Sequence, residues 1–269
     1  MHRLPRIFHY LVSCSLLIQV AVAEEVMLKS LEGRYTVSAW KNDWQGCEYE
    51  DGVEDGRVEV VKQDGQTALR VCYPKGSHGA DAGGAGWRYP LPGVADDNAA
   101  ASLEYAVLFE DGFDFVKGGK LPGLCGGPKT ITGGDAVNGK EGWSARLMWR
   151  KDGRGQAYVY HMNQPSKYGD EFDFPTEFRF KTAVPYRIKV EVKMNAVGKR
   201  DGELRIYVDE VHKGSQTLLV ERKDMEWRAL ESIGVNGILF NTFHGGSGSD
   251  WAPQRDVFAR FWNFRWSLP

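Results

Sequence analysis

Apolar and polar side chains alternate along much of this chain with the period of β-strands. Between Tyr186 and Met194 every second side chain is hydrophobic, and the side chains between them are charged. A strand with one buried face and one solvent-exposed face has this pattern. Similar short runs occupy residues 57–62, 67–73, 102–109, 203–210, 216–222 and 258–266.

Turn signals separate these runs. Asp64-Gly65, Asp152-Gly153 and Asp201-Gly202 are dipeptides typical of tight turns. We find no helical spacing longer than two turns, no internal repeat and no change of composition that would mark a second domain. Many short, closely spaced strands predict an all-β sandwich or barrel.

The first residues have the features of a targeting segment. Arg3 and Arg6 precede an apolar run over residues 11–23, which ends in Ala21-Val22-Ala23. This order predicts a secretory signal peptide over residues 1–23, cleaved after Ala23. Residues 24–269 then form a single domain in a secreted or periplasmic protein with no membrane partner.

Charge and cysteine content narrow the functional classes. Removing Arg3 and Arg6 from the 34 Lys and Arg leaves 32 against 36 Asp and Glu, a slightly acidic balance. A general nucleic-acid binder would instead carry a broad basic surface. Three cysteines remain, and the two alternatives are a Cys47–Cys72 disulfide with Cys125 unpaired or three reduced cysteines.

Residues 115–127, FVKGGKLPGLCGG, are rich in glycine and also hold Lys117 and Lys120. So much glycine, with Pro122, predicts an irregular loop and not a regular strand. Glycine lets the backbone approach a ligand closely. We therefore expect Lys120 to face a ligand and Lys117 to be either a solvated neighbour or a contact in a second subsite.

A hairpin follows this segment at residues 142–162. Ser144, Arg146 and Arg150 share one strand face, and Tyr158 and Tyr160 share one face of the next strand. An odd-numbered turn at residues 152–154 brings the two faces together, with Met148 opposite Tyr158 and Arg146 opposite Tyr160.

Cations and phenols on one sheet face suit an anionic ligand with hydroxyl groups, such as an acidic polysaccharide. Such a face can support β-elimination at a uronic acid. A cation stabilises charge that develops on the carboxylate, a base removes the C5 proton, and an acid protonates the departing C4 oxygen. This scheme needs no metal.

The motifs KGGKLPGLCGG (117–127), WSARLMWR (143–150) and YVY (158–160) resemble those of polysaccharide lyase family 14, the alginate and glucuronan lyases. The flanking stretches YPKGSHG (73–79) and FNTFHGGSGSDWAP (240–253) also resemble the family. The resemblance implies a β-jelly roll with a cationic cleft that cleaves polyuronates.

Matched position by position, the resemblance implies a functional set of Lys120, Ser144, Arg146, Tyr158 and Tyr160. It implies that Tyr158 or Tyr160 transfers the proton and that Lys120 and Arg146 bind the substrate carboxylate. Ser144 would be a supporting donor.

Other residues are candidates for substrate contacts. Lys75 and His78 lie in a glycine-rich stretch that would flank the cleft, and Arg150 shares the strand face of Arg146. His244 either contacts the substrate carboxylate or is a hydrogen-bonded loop histidine. His161 follows Tyr160 and is expected on the opposite face.

Two other functions stay open. Glu171 and Asp173 alternate as in retaining glucanases, although Pro175 interrupts the pattern and favours a loop with solvated acids. Nine tryptophans would also suit a non-catalytic carbohydrate-binding module. We predict a monomer without a cofactor and see no zinc site; a structural calcium ion on loop carboxylates is left open.

Overall fold

The computed structural model describes residues 23–47 and 49–269, so the predicted signal peptide lies outside the described residues apart from Ala23. In chain order the elements are β1 (Ala23–Glu25), β2 (Gly33–Arg34), α1 (Val37–Asp43), β3 (Val58–Gln63), β4 (Gln66–Tyr73), β5 (Ala85–Pro90), β6 (Ala100–Phe109), β7 (Gly118–Gly126), β8 (Trp143–Arg150), β9 (Gly155–Tyr160), β10 (Asp170–Asp173), β11 (Pro185–Lys193), β12 (Gly202–Glu210), β13 (Leu218–Met225), β14 (Gly237–Thr242) and β15 (Val257–Ser267). Single 3₁₀ turns occur at Lys151–Gly153, Val211–Lys213 and Ser249–Trp251. No helix in this part of the chain is long and apolar enough to cross a membrane.

The strands form two antiparallel sheets. Sheet A has nine strands in the order β13-β12-β11-β6-β15-β4-β3-β2, with β1 added beside β15. Sheet B has six strands in the order β10-β9-β8-β7-β14-β5. The predicted all-β class with paired antiparallel sheets is confirmed.

The hydrophobic core lies between the two sheets. On β8 the core receives Ala145, Leu147 and Trp149, whereas Arg146 and Met148 project to the other side. A second, smaller apolar cluster covers that outer side. Sheet B is therefore buried on both faces along these strands, and its outer face is where polar side chains collect.

The segment predicted as an irregular glycine loop is a strand instead. β7 lies between β8 and β14, and every residue from Gly118 to Gly126 is buried. Its pairing with β8 is interrupted between Leu121 and Leu124, where Pro122 lies. Proline has no N–H for a ladder hydrogen bond, and a local irregularity of this kind tolerates it. Lys120 thus projects from a fixed strand and not from a loop.

The glycines of β7 pack directly against other parts of the protein and leave no space there for a sugar. A Cβ atom at Gly123 would lie 1.9 Å from the carbonyl oxygen of Ala145. A Cβ atom at Gly119 would lie 2.0 Å from the Trp149 ring, and one at Gly126 would lie 1.7 Å from the carbonyl oxygen of Gly234. The expectation that these glycines let the backbone approach a ligand is therefore wrong.

The hairpin of β8 and β9 has the predicted faces but a different register. Ser144 pairs with Tyr160, Arg146 with Tyr158, and Met148 with Gln156. The predicted pairing of Arg146 with Tyr160 is thus wrong by two residues. A shift of two leaves each side chain on the same face.

The turn explains the shift. Residues 151–153 form it, one position earlier than predicted, and the Arg150 amide donates a hydrogen bond to the Arg154 carbonyl at 2.7 Å. Asp152 has φ 60° and Gly153 has φ 73°. Both are left-handed conformations, which aspartate and glycine accept more readily than most residues.

Cys47 and Cys72 form no disulfide with each other in the described part of the chain, so this predicted pairing is wrong. Cys47 packs against the main core, and burial raises the pKa of the Cys72 thiol to about 11. Cys125 is buried in β7, where burial also raises its pKa.

We predict that Gly123→Ala destabilises the protein by about 1–3 kcal/mol or more, because the new methyl group overlaps the backbone of β8. Urea unfolding measures the loss. Gly245→Ala is the control, since the nearest atom to its Cβ lies at an ordinary 3.7 Å. Equal stability of the two variants would contradict the close packing of β7 on β8.

Candidate active site

A cavity of ≈ 470 Å³ opens on the outer face of sheet B. The strands β7 to β10 form its floor, and the loops around residues 132–133 and 245–251 form its walls. Its lining includes three cations and one carboxylate, together with aromatic and glycine residues: Gly79, Lys120, Thr132, Gly133, Arg146, Met148, Arg150, Tyr158, Tyr160, Tyr168, Glu171, Phe243, Gly245, Gly246, Ser247 and Trp251.

Arg146 is held rigidly at the centre of the floor. Its side chain is 0% exposed, and its two terminal nitrogens donate to Asn241 Oδ1 at 2.7 Å and Thr132 Oγ1 at 2.8 Å. Both acceptors are neutral, and its Nε has no hydrogen-bond partner among residues 23–47 and 49–269. Burial lowers the pKa of the guanidinium, although arginine keeps its charge in proteins. Arg146 is thus a preoriented cation with no carboxylate partner among the described residues.

Lys120 is the second buried cation. It is 8% exposed, and its Nζ lies 2.8 Å from Met148 Sδ and 3.4 Å from the centre of the Tyr158 ring. Burial, with the positive charges of Arg146 and Arg150, holds the pKa of Lys120 well below the usual lysine range. A lysine with a lowered pKa loses its proton more readily than a solvent-exposed lysine, and the neutral amine can accept a proton.

The two tyrosines differ in their hydrogen bonds. The Tyr160 oxygen accepts a hydrogen bond from the Gly134 amide at 2.9 Å, and the Tyr158 oxygen accepts a longer one from the Gly169 amide at 3.3 Å. Burial, with the hydrogen bond to Tyr160, raises the pKa of Tyr158. Tyr158 therefore stays a neutral phenol at ordinary pH, packed beneath Lys120.

One loop connects these groups to each other. Ser144 donates a hydrogen bond to the Ile131 carbonyl at 2.7 Å, Thr132 accepts from Arg146, and Gly134 donates to Tyr160. Ser144 is fully buried and does not line the cavity. The structure therefore places this predicted supporting donor behind the site, where it fixes residues 131–134 over the sheet.

The rim of the cavity has mixed charge. Arg150 lies 3.9 Å from the Glu171 carboxylate and 5.5 Å from the Trp251 ring. Lys117 is largely exposed and forms an ion pair with Asp250, which lowers the pKa of that carboxyl. Arg150 thus lines the cavity as predicted, whereas Lys117 is engaged outside it.

Three other predicted contact residues do not line the cavity. The His244 ring stacks on Phe113, its Nε2–H donates a hydrogen bond to the Asp114 carbonyl at 2.8 Å, and burial lowers its pKa to about 4. Lys75 is exposed, and His78 is half-buried beside the lining residue Gly79. The structure thus supports the loop-histidine alternative for His244. His161 lies near the Trp227 ring on the core side of sheet B, as expected.

Several residues that were not proposed as site residues contribute to the site. Strand alternation placed Met148 on the face of Arg146, but it was not named as a candidate. Asn241 and Thr132 bind Arg146 across long sequence separations that no local pattern reveals. Glu171 was interpreted as a loop acid, yet it lies on β10 opposite Tyr158.

The arrangement suits an anionic, hydroxyl-rich ligand. A fixed cation can bind a carboxylate, a neutral amine can accept a proton, and a phenol can donate one. Within the described ranges, no group of three or more His, Cys, Asp or Glu side chains is placed to hold a metal ion.

Comparisons with known proteins agree with this chemistry. The PL-14 alginate lyase from Aplysia kurodai is 31% identical, covers 91% of this chain and 100% of its own, and superimposes with a TM-score of 0.78. Alginate lyase Aly36B is 25% identical, with coverage of 92% and 98% and a TM-score of 0.76. The endo-β-1,4-glucuronan lyase from the fungus Trichoderma reesei, at 11% identity, 89% and 95% coverage and a TM-score of 0.55, shares the fold. No curated protein sequence matches the chain.

The structural similarity between this chain and the Aplysia kurodai alginate lyase confirms the predicted β-jelly roll. A family model described as Polysaccharide lyase 14 matches residues 61–264, which is most of the chain. The chain therefore belongs to polysaccharide lyase family 14.

Proposed function

We propose that this polysaccharide lyase cleaves alginate by β-elimination. The observation that carries the proposal is the shared cavity of Lys120, Arg146 and the two tyrosines. The alginate lyases from Aplysia kurodai and Aly36B, which are at least a quarter identical, support this choice of polyuronate.

Arg146 binds the carboxylate of the sugar residue that loses its proton. Its charge is permanent and its orientation is set by Asn241 and Thr132 before substrate arrives. Removal of the C5 proton spreads negative charge onto that carboxylate. A preoriented cation stabilises this charge in the transition state without reorganising.

Lys120 is the base. The low pKa that burial and the neighbouring arginines impose leaves its Nζ with a lone pair. This lone pair takes the C5 proton, the C–H electron pair becomes the C4=C5 double bond, and the C4–O bond breaks. This role differs from the carboxylate contact that the family resemblance implied, because a neutral amine is a better base than a counter-ion.

Tyr160 is the acid that protonates the departing C4 oxygen. The Gly134 amide donates to the phenol oxygen, so the hydroxyl proton is free to point elsewhere. The same amide stabilises the negative charge that the oxygen gains when the proton leaves. Solvent returns this proton and removes the one held by Lys120. Tyr158 packs beneath Lys120 and shields it from water.

The hydrolase alternative lacks a pair of acids. Retaining hydrolysis needs two carboxyl groups about 5 Å apart across the scissile bond. Glu171 is the one carboxylate among the described residues that line the cavity, and Asp173 lines a separate depression. A binding module stays distinguishable by experiment, because it leaves its polymer intact.

We expect Tyr160→Phe to lower kcat by about 10²–10⁴-fold, since it removes the proton donor and little volume. The assay is the ultraviolet absorbance of the unsaturated uronate formed from alginate, run in parallel with glucuronan. Tyr207→Phe is the control. Tyr207 lies on β12 of sheet A, away from the cavity, so this variant should keep full activity. Full activity of Tyr160→Phe would contradict its role as acid, and polymer binding without any absorbance change would overturn the proposed lyase activity.

We expect Lys120→Met to abolish activity and to raise the free energy of unfolding near neutral pH by about 0.5–2 kcal/mol. The pKa of Lys120 is lower in the folded state than in the unfolded state, so the folded state binds fewer protons. Lys120 therefore destabilises the folded state, and this destabilisation fades as pH rises toward about 10.4, where the unfolded state also loses the proton. The stability gain should therefore shrink over that range.

Denaturant unfolding at a series of pH values measures the gain. Lys199→Met, at an exposed loop position, is the control and should show no pH-dependent gain. A gain for Lys120→Met that stays constant up to pH 10 would show that Lys120 has an ordinary pKa.

A further inference from the structure

Glu171 is an unusual residue in this cavity. A polyuronate carries a negative charge on every sugar, and the rest of the charged lining is cationic. A carboxylate here repels the charged part of the substrate. It also lies on the edge strand β10, directly opposite Tyr158, so its place beside the catalytic groups is fixed by strand register.

The Glu171 carboxylate is available to a ligand. It accepts no hydrogen bond from any described residue, and its nearest cation, Arg150, is 3.9 Å away. Its side chain is 46% exposed on the cavity side. Glu110, by contrast, accepts short hydrogen bonds from Arg70 and Arg260 on sheet A and is neutralised by them.

An ionised carboxylate accepts hydrogen bonds and donates none. The parts of a polyuronate that can donate to it are the free hydroxyls on C2 and C3. Such O–H···O⁻ bonds are roughly twice as strong as those between neutral groups. A uronate that turned its own carboxylate toward Glu171 would meet like-charge repulsion instead.

We infer that Glu171 is a specificity-determining residue, which accepts hydrogen bonds from the free C2 and C3 hydroxyls of a uronate and excludes residues whose hydroxyls are esterified. The inference rests on the proposed function. With Arg146 bound to the carboxylate and Glu171 to the hydroxyls, opposite charges in the cavity lining distinguish the two edges of a sugar ring. Specificity then comes from an attractive and a repulsive element together.

Polymannuronate and the same polymer carrying O-acetyl esters at C2 and C3 test this inference. The wild-type protein should cleave the acetylated polymer with a kcat/KM roughly 10- to 100-fold lower, as expected for the loss of a charged hydrogen bond. The ratio of kcat/KM for the free polymer to kcat/KM for the acetylated polymer measures this preference. Glu171→Ala should reduce that ratio by about tenfold, mainly by slowing cleavage of the free polymer. Glu171→Gln, which keeps an acceptor without the charge, should lie between the two.

Asp173→Asn is the matched control. Asp173 lies two residues further along β10 with the same exposure but outside this cavity, so this variant should keep the wild-type ratio. Glu171 also acts on the pKa of Lys120, but this effect applies equally to both polymers and cancels in the ratio.

A wild-type ratio near one, or an unchanged ratio in Glu171→Ala, would overturn the inference while leaving the lyase assignment intact. Absence of cleavage of both polymers and of alginate itself by the wild-type protein would instead overturn the proposed substrate. Thermal unfolding of each variant verifies that the folded state is retained, as expected for an exposed position on an edge strand.

Discussion

Two basic side chains, Lys120 and Arg146, are buried on the outer face of sheet B, and much of the local structure holds them there. Lys120 and Arg146 form no ion pair with a carboxylate among the described residues. Burying a charge without a partner is costly, and a titratable group responds by losing its charge. Arginine stays charged and depends on neutral acceptors, whereas lysine gives up its proton. In the proposed mechanism, this difference is why Arg146 binds the carboxylate and Lys120 transfers the proton.

The packing of β7 makes this arrangement possible. Its glycines let the β7 backbone lie against β8 and the Trp149 ring, so Lys120 is anchored on a buried strand beside Arg146. The loop around Thr132 accepts a hydrogen bond from Arg146 and donates one to Tyr160. In the proposed mechanism, the substrate carboxylate supplies the negative charge that Arg146 lacks. The cost of burying Arg146 is then offset in the bound state, which favours an anionic ligand.

Strand alternation was sufficient to predict which side chains share the active face. The faces of Arg146, Tyr158 and Tyr160 depend on whether the turn has an odd or an even number of residues, which the sequence indicates. They do not depend on the exact position of the turn, which was predicted one residue too late. The strand character of β7 could not be predicted, because glycine and proline are signals of irregular structure unless neighbouring backbones are known. Asn241 reaches Arg146 across 95 residues of sequence. The enclosed position of His244 likewise depends on rings from other segments, such as Phe113.

The protonation state of Lys120 is the central claim, and it can be measured directly. Carbon-13 labelling of the lysine side chains, with Lys120→Met to assign the resonance, allows its titration to be followed by NMR. The account predicts that the Lys120 resonance reports a neutral amine near pH 7 and titrates well below the other lysines. Titration of Lys120 at about 10.4, the value of an ordinary lysine, would contradict its role as base.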